Sequence, residues 1–290
     1  MSPNNQWQGW LLVGPAVLLL IAFTHYPAVA TLWHSFHSSG TEAMPSVFVG
    51  AGNYQSMVED PVFWASLRNN IWFAVGTVPV SIALAIVMAL FVNARLPGKG
   101  FLRLAYFTPT VLPMIAVANI WLFFYTPQYG LIAQLLSPLG IASPNWLGDK
   151  DFALGAMIVV AIWKEAGFFM IFYLAALQQV SPSLAEAAEL EGASRSQYFW
   201  RVLFPLLMPT TIFVLINALI NAVRMVDHII VMTKGGPDNA SSLLLYYIYQ
   251  VGFSFWDPAY AAALTVVVLV ILATIALVKF TYLDKRAHYQ

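Results

Sequence analysis

The chain has 290 residues, of which 60% are hydrophobic and only 9% charged, with zero net charge and no cysteine. A soluble domain carries about a quarter charged residues, so lipid rather than water must face most of this surface. Neutrality argues against nucleic acid as a partner, and the lack of cysteine excludes disulfides, zinc–thiolate sites and cysteine nucleophiles.

A membrane helix needs roughly 20 consecutive, mostly apolar residues. In chain order the segments that qualify are Trp10–Leu32, Ile71–Asn93, Leu104–Tyr125, Phe152–Leu177, Leu203–Met232 and Tyr260–Leu283. The expected fold class is an all-α polytopic membrane protein with six transmembrane helices, residues 1–290 forming one transmembrane domain. Continuous apolar runs without period-two alternation exclude a β-barrel. The opening MSPNNQWQGW has no Lys or Arg, so the first segment reads as a retained helix rather than a cleaved signal, although Ala28 to Ala30 resembles a cleavage site. Lys and Arg fix the orientation. Connections 2-3 and 4-5 and the C-terminus hold Arg95, Lys99, Arg103, Arg195, Arg201, Lys279, Lys285 and Arg286, whereas connections 1-2, 3-4 and 5-6 hold Arg68, Lys150 and Lys234. Both termini and connection 4-5 are therefore expected in the cytoplasm.

Span four carries Lys164 and Glu165 near its centre, after Trp163. Ionisable groups inside a membrane are costly and mark functional positions by default. In span five, Asn217, Asn221, Arg224 and His228 fall within an arc of roughly 60° on a helical wheel, with Asp227 off that stripe. Two readings stand open. The stripe, faced by Lys164 or Glu165, lines a translocation path, in which asparagine amides meet hydroxyls and Arg224 meets a phosphate or carboxylate. Alternatively, Arg224 with Asp227 and Lys164 with Glu165 neutralise each other and join helices. Trp163 and Tyr125 are aromatic candidates for stacking on a sugar ring, while most other aromatics read as interfacial belt or packing. Asn239–Ser241 matches a glycosylation pattern, and GGPDN, Gly235–Asn239, reads as a tight external turn.

Between spans four and five lies SPSLAEAAELEGASRSQYFWRVLFPLLMP. Ser183 and Glu186 fit a capping box, good helix formers follow, and Gly192 sits where a left-handed residue ends a helix. Ser194 is placed to cap the next helix. A short, rigid, alanine-rich cytoplasmic helix over residues 183–192 results. No lysine precedes Ser or Thr, so the chain has no Walker phosphate loop and is not itself an ATPase. His25, His34, His37, His228 and His288 are scattered, and no metal site is expected.

EAAELEGA followed by FWRVLFPLLMP resembles the EAA motif of membrane subunits of binding-protein-dependent ABC importers. Glu186, Ala187, Ala188, Gly192, Pro205 and Pro209 match; Glu191 stands where many carbohydrate permeases have Asp. Phe48–Phe73 and Thr233–Phe253 resemble the segments before span two and between spans five and six of the maltose-type, carbohydrate-uptake branch. The ending YLDKRAHYQ resembles the tail of glycerol-3-phosphate permeases. The resemblance implies a type I ABC importer permease fold. Residues 183–192 would be the coupling helix, touching an ATP-binding subunit dimer through Glu186, Ala187, Ala188, Glu189, Gly192 and Ala193. It further implies a second permease subunit, an external substrate-binding protein, a prokaryotic inner membrane, and ATP with magnesium held by the ATPase rather than by this chain. The expected cargo is a sugar, polyol or glycerol or sugar phosphate, glycerol-3-phosphate first among them. The rival reading is a self-sufficient secondary carrier or channel, which calls for inverted repeats.

Overall fold

The computed structural model describes residues 3–40, 45–94 and 97–278. The end of the sixth apolar segment, the tail, and Arg95, Lys279, Lys285 and Arg286 of the charge count lie outside the described residues. The chain divides into two compact units, one made of Met1–Phe63 and Tyr247–Val270, the other of Trp64–Tyr246 and Ile271–Gln290. No named strand occurs among the described residues, only an isolated bridge between His37 and Phe48.

In the first unit, α1 (Pro3–Leu20) runs through one wide turn at Ile21–His25 into α2 (Tyr26–His34). Within Gly9–His34 no residue of the most apolar window is buried. Such a helix meets water only at a prohibitive apolar cost, so lipid or another subunit must cover it. After α3 (Gly52–Glu59), short polar side chains set the chain path. Asn53 Nδ2 donates to the carbonyls of Ser35 and His37, both at 2.8 Å, and Tyr54 Oη donates to Ser35 Oγ. Asp60 starts the long helix α4 (Pro61–Asn93) by accepting from the Val62 amide at 2.8 Å. It also accepts from the hydroxyls of Tyr247 and Tyr260. Burial alone would raise the Asp60 pKa, but these donors outweigh it and hold the carboxyl below its usual range.

The second unit holds the larger core, in which Phe73, Met157, Phe169, Met170, Tyr173 and Leu207 are almost fully enclosed. Helix α5 (Lys99–Val111) meets α6 (Met114–Tyr125) at a 101° bend, so the third expected span is broken. The cause is local: Leu112 precedes Pro113, whose ring clashes with a helical residue before it, and Leu112 is extended at φ −70, ψ 136. The short α7 (Leu131–Leu136) follows, then α8 (Lys150–Leu177), which Asp149 caps by accepting from the Asp151 amide. Helix α5 packs on α8 at Gly167, where a Cβ would lie 2.0 Å from the Tyr106 carbonyl oxygen.

Helices α9 (Pro182–Leu190) and α10 (Arg195–Tyr198) lead through a wide turn at Phe199–Leu203 into α11 (Phe204–Arg224). The fifth span breaks again at Met225 and Val226 before α12 (Asp227–Met232). Beyond it come α13 (Leu244–Tyr249) and α14 (Pro258–Val278). Among the described residues five helical stretches are long and apolar enough to cross a membrane, six if the bent α5–α6 pair counts as one span.

Candidate functional site: the α9 cap and two broken helices on α8

Helix α9 differs from the expected one at its start. Ser181, not Ser183, is the N-cap residue, and its side chain caps nothing. Pro182 takes the first helical position, where its fixed φ is pre-organised and its missing N–H costs nothing. Ser183 Oγ instead lies 2.8 Å from Ser181 Oγ, so the Ser183–Glu186 capping box does not form. The C-terminus is as the sequence indicates. Gly192 is left-handed at φ +73, its amide donates to the Glu189 carbonyl at 3.0 Å, and the Ala193 amide donates to Ala188 at 2.9 Å. This pair of bonds is a Schellman closure. Ser194 and Gln197 form a reciprocal capping box one residue later. Glu186, Ala187 and Glu189 are exposed and Ala188 is buried, while Leu190 is 90% exposed at the helix end. The result is a stiff helical knob with polar handles and an uncovered leucine.

At the middle of α8, neighbouring charges serve different helices. Lys164 Nζ donates to the Leu112 carbonyl at 2.7 Å and reaches those of Pro109 at 3.3 Å and Thr110 at 3.4 Å. These are the carbonyls freed where α5 stops. Thr110 Oγ1 returns a bond to the Lys164 carbonyl at 3.3 Å. Glu165 turns the other way and accepts from Asn221 Nδ2 at 2.9 Å. Both Glu165 and Asn221 line a small cavity that Phe73, Thr77 and Ser81 also enclose, and Ser81 Oγ has no partner among the described residues.

The expected polar stripe is only partly assembled. Asn217, Asn221 and Arg224 share α11, with Asn217 bonded back to the Phe213 carbonyl at 2.7 Å. Arg224 ends that helix, exposed. His228 lies past the break, so it does not continue the stripe: the ring is fully buried, 5.7 Å from Phe73, and neither nitrogen has a partner among the described residues. Asp227 is exposed at the start of α12. Trp163 is 39% exposed, edge-on to Trp121 at 5.8 Å. Tyr125 is buried and donates to the Ala156 carbonyl at 3.0 Å.

Asn69 and Asn70 were not singled out in the sequence. Asn69 Nδ2 holds the carbonyls of Asn239 at 2.8 Å and Ser242 at 3.0 Å. Asn70 donates to the Ala222 carbonyl at 3.2 Å and accepts from the Leu244 amide at 2.8 Å, tying the end of α11 to the start of α13. Two adjacent amides opening an apolar run were the available signal.

A helical membrane subunit with an exposed knob after its fourth span is the architecture of an importer permease, and the chain belongs to the family of binding-protein-dependent transport system inner membrane components, matched over residues 81–289. This family supplies the non-enzymatic, multi-pass subunit of ABC importers in the inner membrane; a separate subunit hydrolyses ATP. The chain is 33% identical to the sn-glycerol-3-phosphate transport system permease protein UgpA of Agrobacterium fabrum, over 98% of this chain and 97% of that one. It is 34% identical to the sulfoquinovosyl glycerol transport system permease protein SmoG of the same species, over 89% and 84%. The fold matches a crystallised bacterial ABC transporter involved in import of the acidic polysaccharide alginate, with TM-score 0.86, 22% identity and coverage of 99% and 98%. A type I importer permease fold therefore stands, and a self-sufficient carrier is set aside.

Proposed function

We propose that this chain forms half of the translocation path of an importer for a sugar, polyol or glycerol or sugar phosphate, with sn-glycerol-3-phosphate the first candidate cargo. A second permease subunit completes the path, an external binding protein delivers the solute, and an ATP-binding dimer drives the cycle. The N- and C-termini and α9 face the cytoplasm. Helix α9 docks on the ATPase through Glu186, Ala187, Glu189, Gly192 and Ala193, the expected Ala188 being buried within its own chain, and rigid-body motion there tilts the bundle between two arrangements. Asn217, Asn221 and Arg224 lie along the path, with Glu165 orienting Asn221; Arg224 offers a fork to a phosphate. Lys164 and His228 act as structural supports, with Asp227 and Trp163 at the edges of the path.

The observation that carries the coupling assignment is the exposed α9, closed at its C-terminus by the left-handed Gly192, with its bare Leu190. The glycerol-3-phosphate preference leans on the relative named for that solute. Uptake of radiolabelled sn-glycerol-3-phosphate into proteoliposomes holding the full importer tests both. Gly192→Val, forced into a left-handed backbone, should uncouple ATP hydrolysis from uptake, and Arg224→Met should raise KM for the phosphate ester at least about tenfold. Unchanged uptake by both variants in an intact complex would remove these roles.

A further inference from the structure

At the end of α8 remote from α9, two cations open onto one cavity. Arg68, near the start of α4, and Lys150, the first residue of α8, line a space of about 550 Å³ together with Trp72, Asp151, Asp238 and Asn239. All four charged groups are exposed, and none has a side-chain hydrogen bond or ion pair among the described residues. The wall is nevertheless pre-formed: Asn69 clamps the carbonyls of Asn239 and Ser242, and Ser66 Oγ donates to Ser242 Oγ at 3.1 Å. Helix α8 has 28 residues, which puts its two ends about 40 Å apart. The cavity and the α9 knob therefore sit at opposite ends of one rigid element.

The charges constrain the ligand. A neutral sugar would leave two cations unanswered, and a bare inorganic anion would crowd two carboxylates. We propose that this cavity binds a phosphate ester that also carries hydroxyl or amino groups. Arg68 and Lys150 take the phosphate oxygens in charge-assisted bonds, Asp151 and Asp238 accept from hydroxyl or ammonium hydrogens, and Trp72, 60% exposed, covers the carbon skeleton. Free glycerol phosphate and a phospholipid headgroup share this chemistry. For a lipid, an apolar cavity of about 500 Å³ that shares Asp151 and Gly155, with Trp121, Trp146 and Phe152 in its wall, would take the acyl chain.

The inference does not depend on the coupling or uptake assignments, because its test measures equilibrium binding without transport. The assembled importer, purified in detergent without its external binding protein, is titrated with sn-glycerol-3-phosphate at low salt, and native mass spectrometry counts retained phospholipid. Binding of the solute or retention of a phospholipid is expected, with the responding arm naming the source. Arg68→Gln combined with Lys150→Gln should weaken that binding about tenfold or more, and Arg68→Lys with Lys150→Arg should keep most of it. Trp72→Ala, at an exposed position, serves as a second variant and should weaken binding in a complex whose thermal unfolding is unchanged. A wild-type complex that holds neither solute nor phospholipid, or unchanged binding in the Arg68→Gln/Lys150→Gln double variant or in Trp72→Ala, would overturn the proposal.

Discussion

The two broken spans make opposite use of α8. At the first break, between α5 and α6, three carbonyls converge on one ammonium, Lys164. At the second, between α11 and α12, the released Ala222 carbonyl is met by a neutral amide, Asn70, and the span is tied to α8 one turn earlier by Asn221 and Glu165. Consecutive side chains on α8 thus reach different breaks, since successive residues project about 100° apart. A cation with three acceptors and a backbone contact at Gly167 makes the first break a fixed joint. The second is held by neutral amides beside a small cavity with a Ser81 hydroxyl that has no partner among the described residues, and is expected to be the softer of the two. The two interruptions differ in kind, a 101° bend at Leu112–Pro113 and a local break at Met225–Val226 inside one continuous stretch, and their freed carbonyls are filled differently.

The largest expected effect breaks the fixed joint itself. Gly167→Val puts carbon where the Tyr106 carbonyl lies and should prevent stable assembly, read as loss of the monodisperse complex in size-exclusion chromatography; a normal complex would deny the close packing. Next, Lys164→Met strands acceptors in an apolar setting, costing on the order of 1–3 kcal/mol each when unsatisfied, and should lower the thermal midpoint of the complex clearly. Asn70→Ala at the softer break strands two groups rather than three, about 1–3 kcal/mol for each, and should cost less than Lys164→Met. If it costs more, the two breaks have been ranked in the wrong order. The smallest effect is expected from Glu165→Gln, which retains an acceptor for Asn221. A double-mutant cycle of Glu165→Leu with Asn221→Leu should then show coupling of about 0.5–3 kcal/mol, and a value near zero would separate the two residues.

Much of this was legible beforehand. Apolar runs located the spans, and the left-handed Gly192 and the Ser194 cap were readable because both are local backbone requirements. The start of α9 departs from the Ser183–Glu186 pattern because Pro182 takes the first helical position, a signal also present in the sequence. The Leu112–Pro113 dipeptide foreshadowed the first break, but the cap, Lys164, lies 52 residues away and no local pattern leads to it. The second break carries no Gly or Pro, so wheel arithmetic ran His228 onto the face of Asn221 and Arg224. It failed because a wheel assumes an unbroken 3.6-residue period. The roles of Asn69 and Asn70 are not legible locally because their partners lie across the fold, at positions such as Ala222, Asn239 and Leu244.

The absence of native cysteine makes the central claim directly testable. Ala187→Cys in the assembled importer, treated with a short cysteine-reactive photocrosslinker, should join this chain to the ATP-binding subunit, with the yield changing when ATP is bound. A single cysteine that crosslinks only to lipid, or that a membrane-impermeant thiol reagent labels from outside intact cells, would contradict the claim that α9 is the lever.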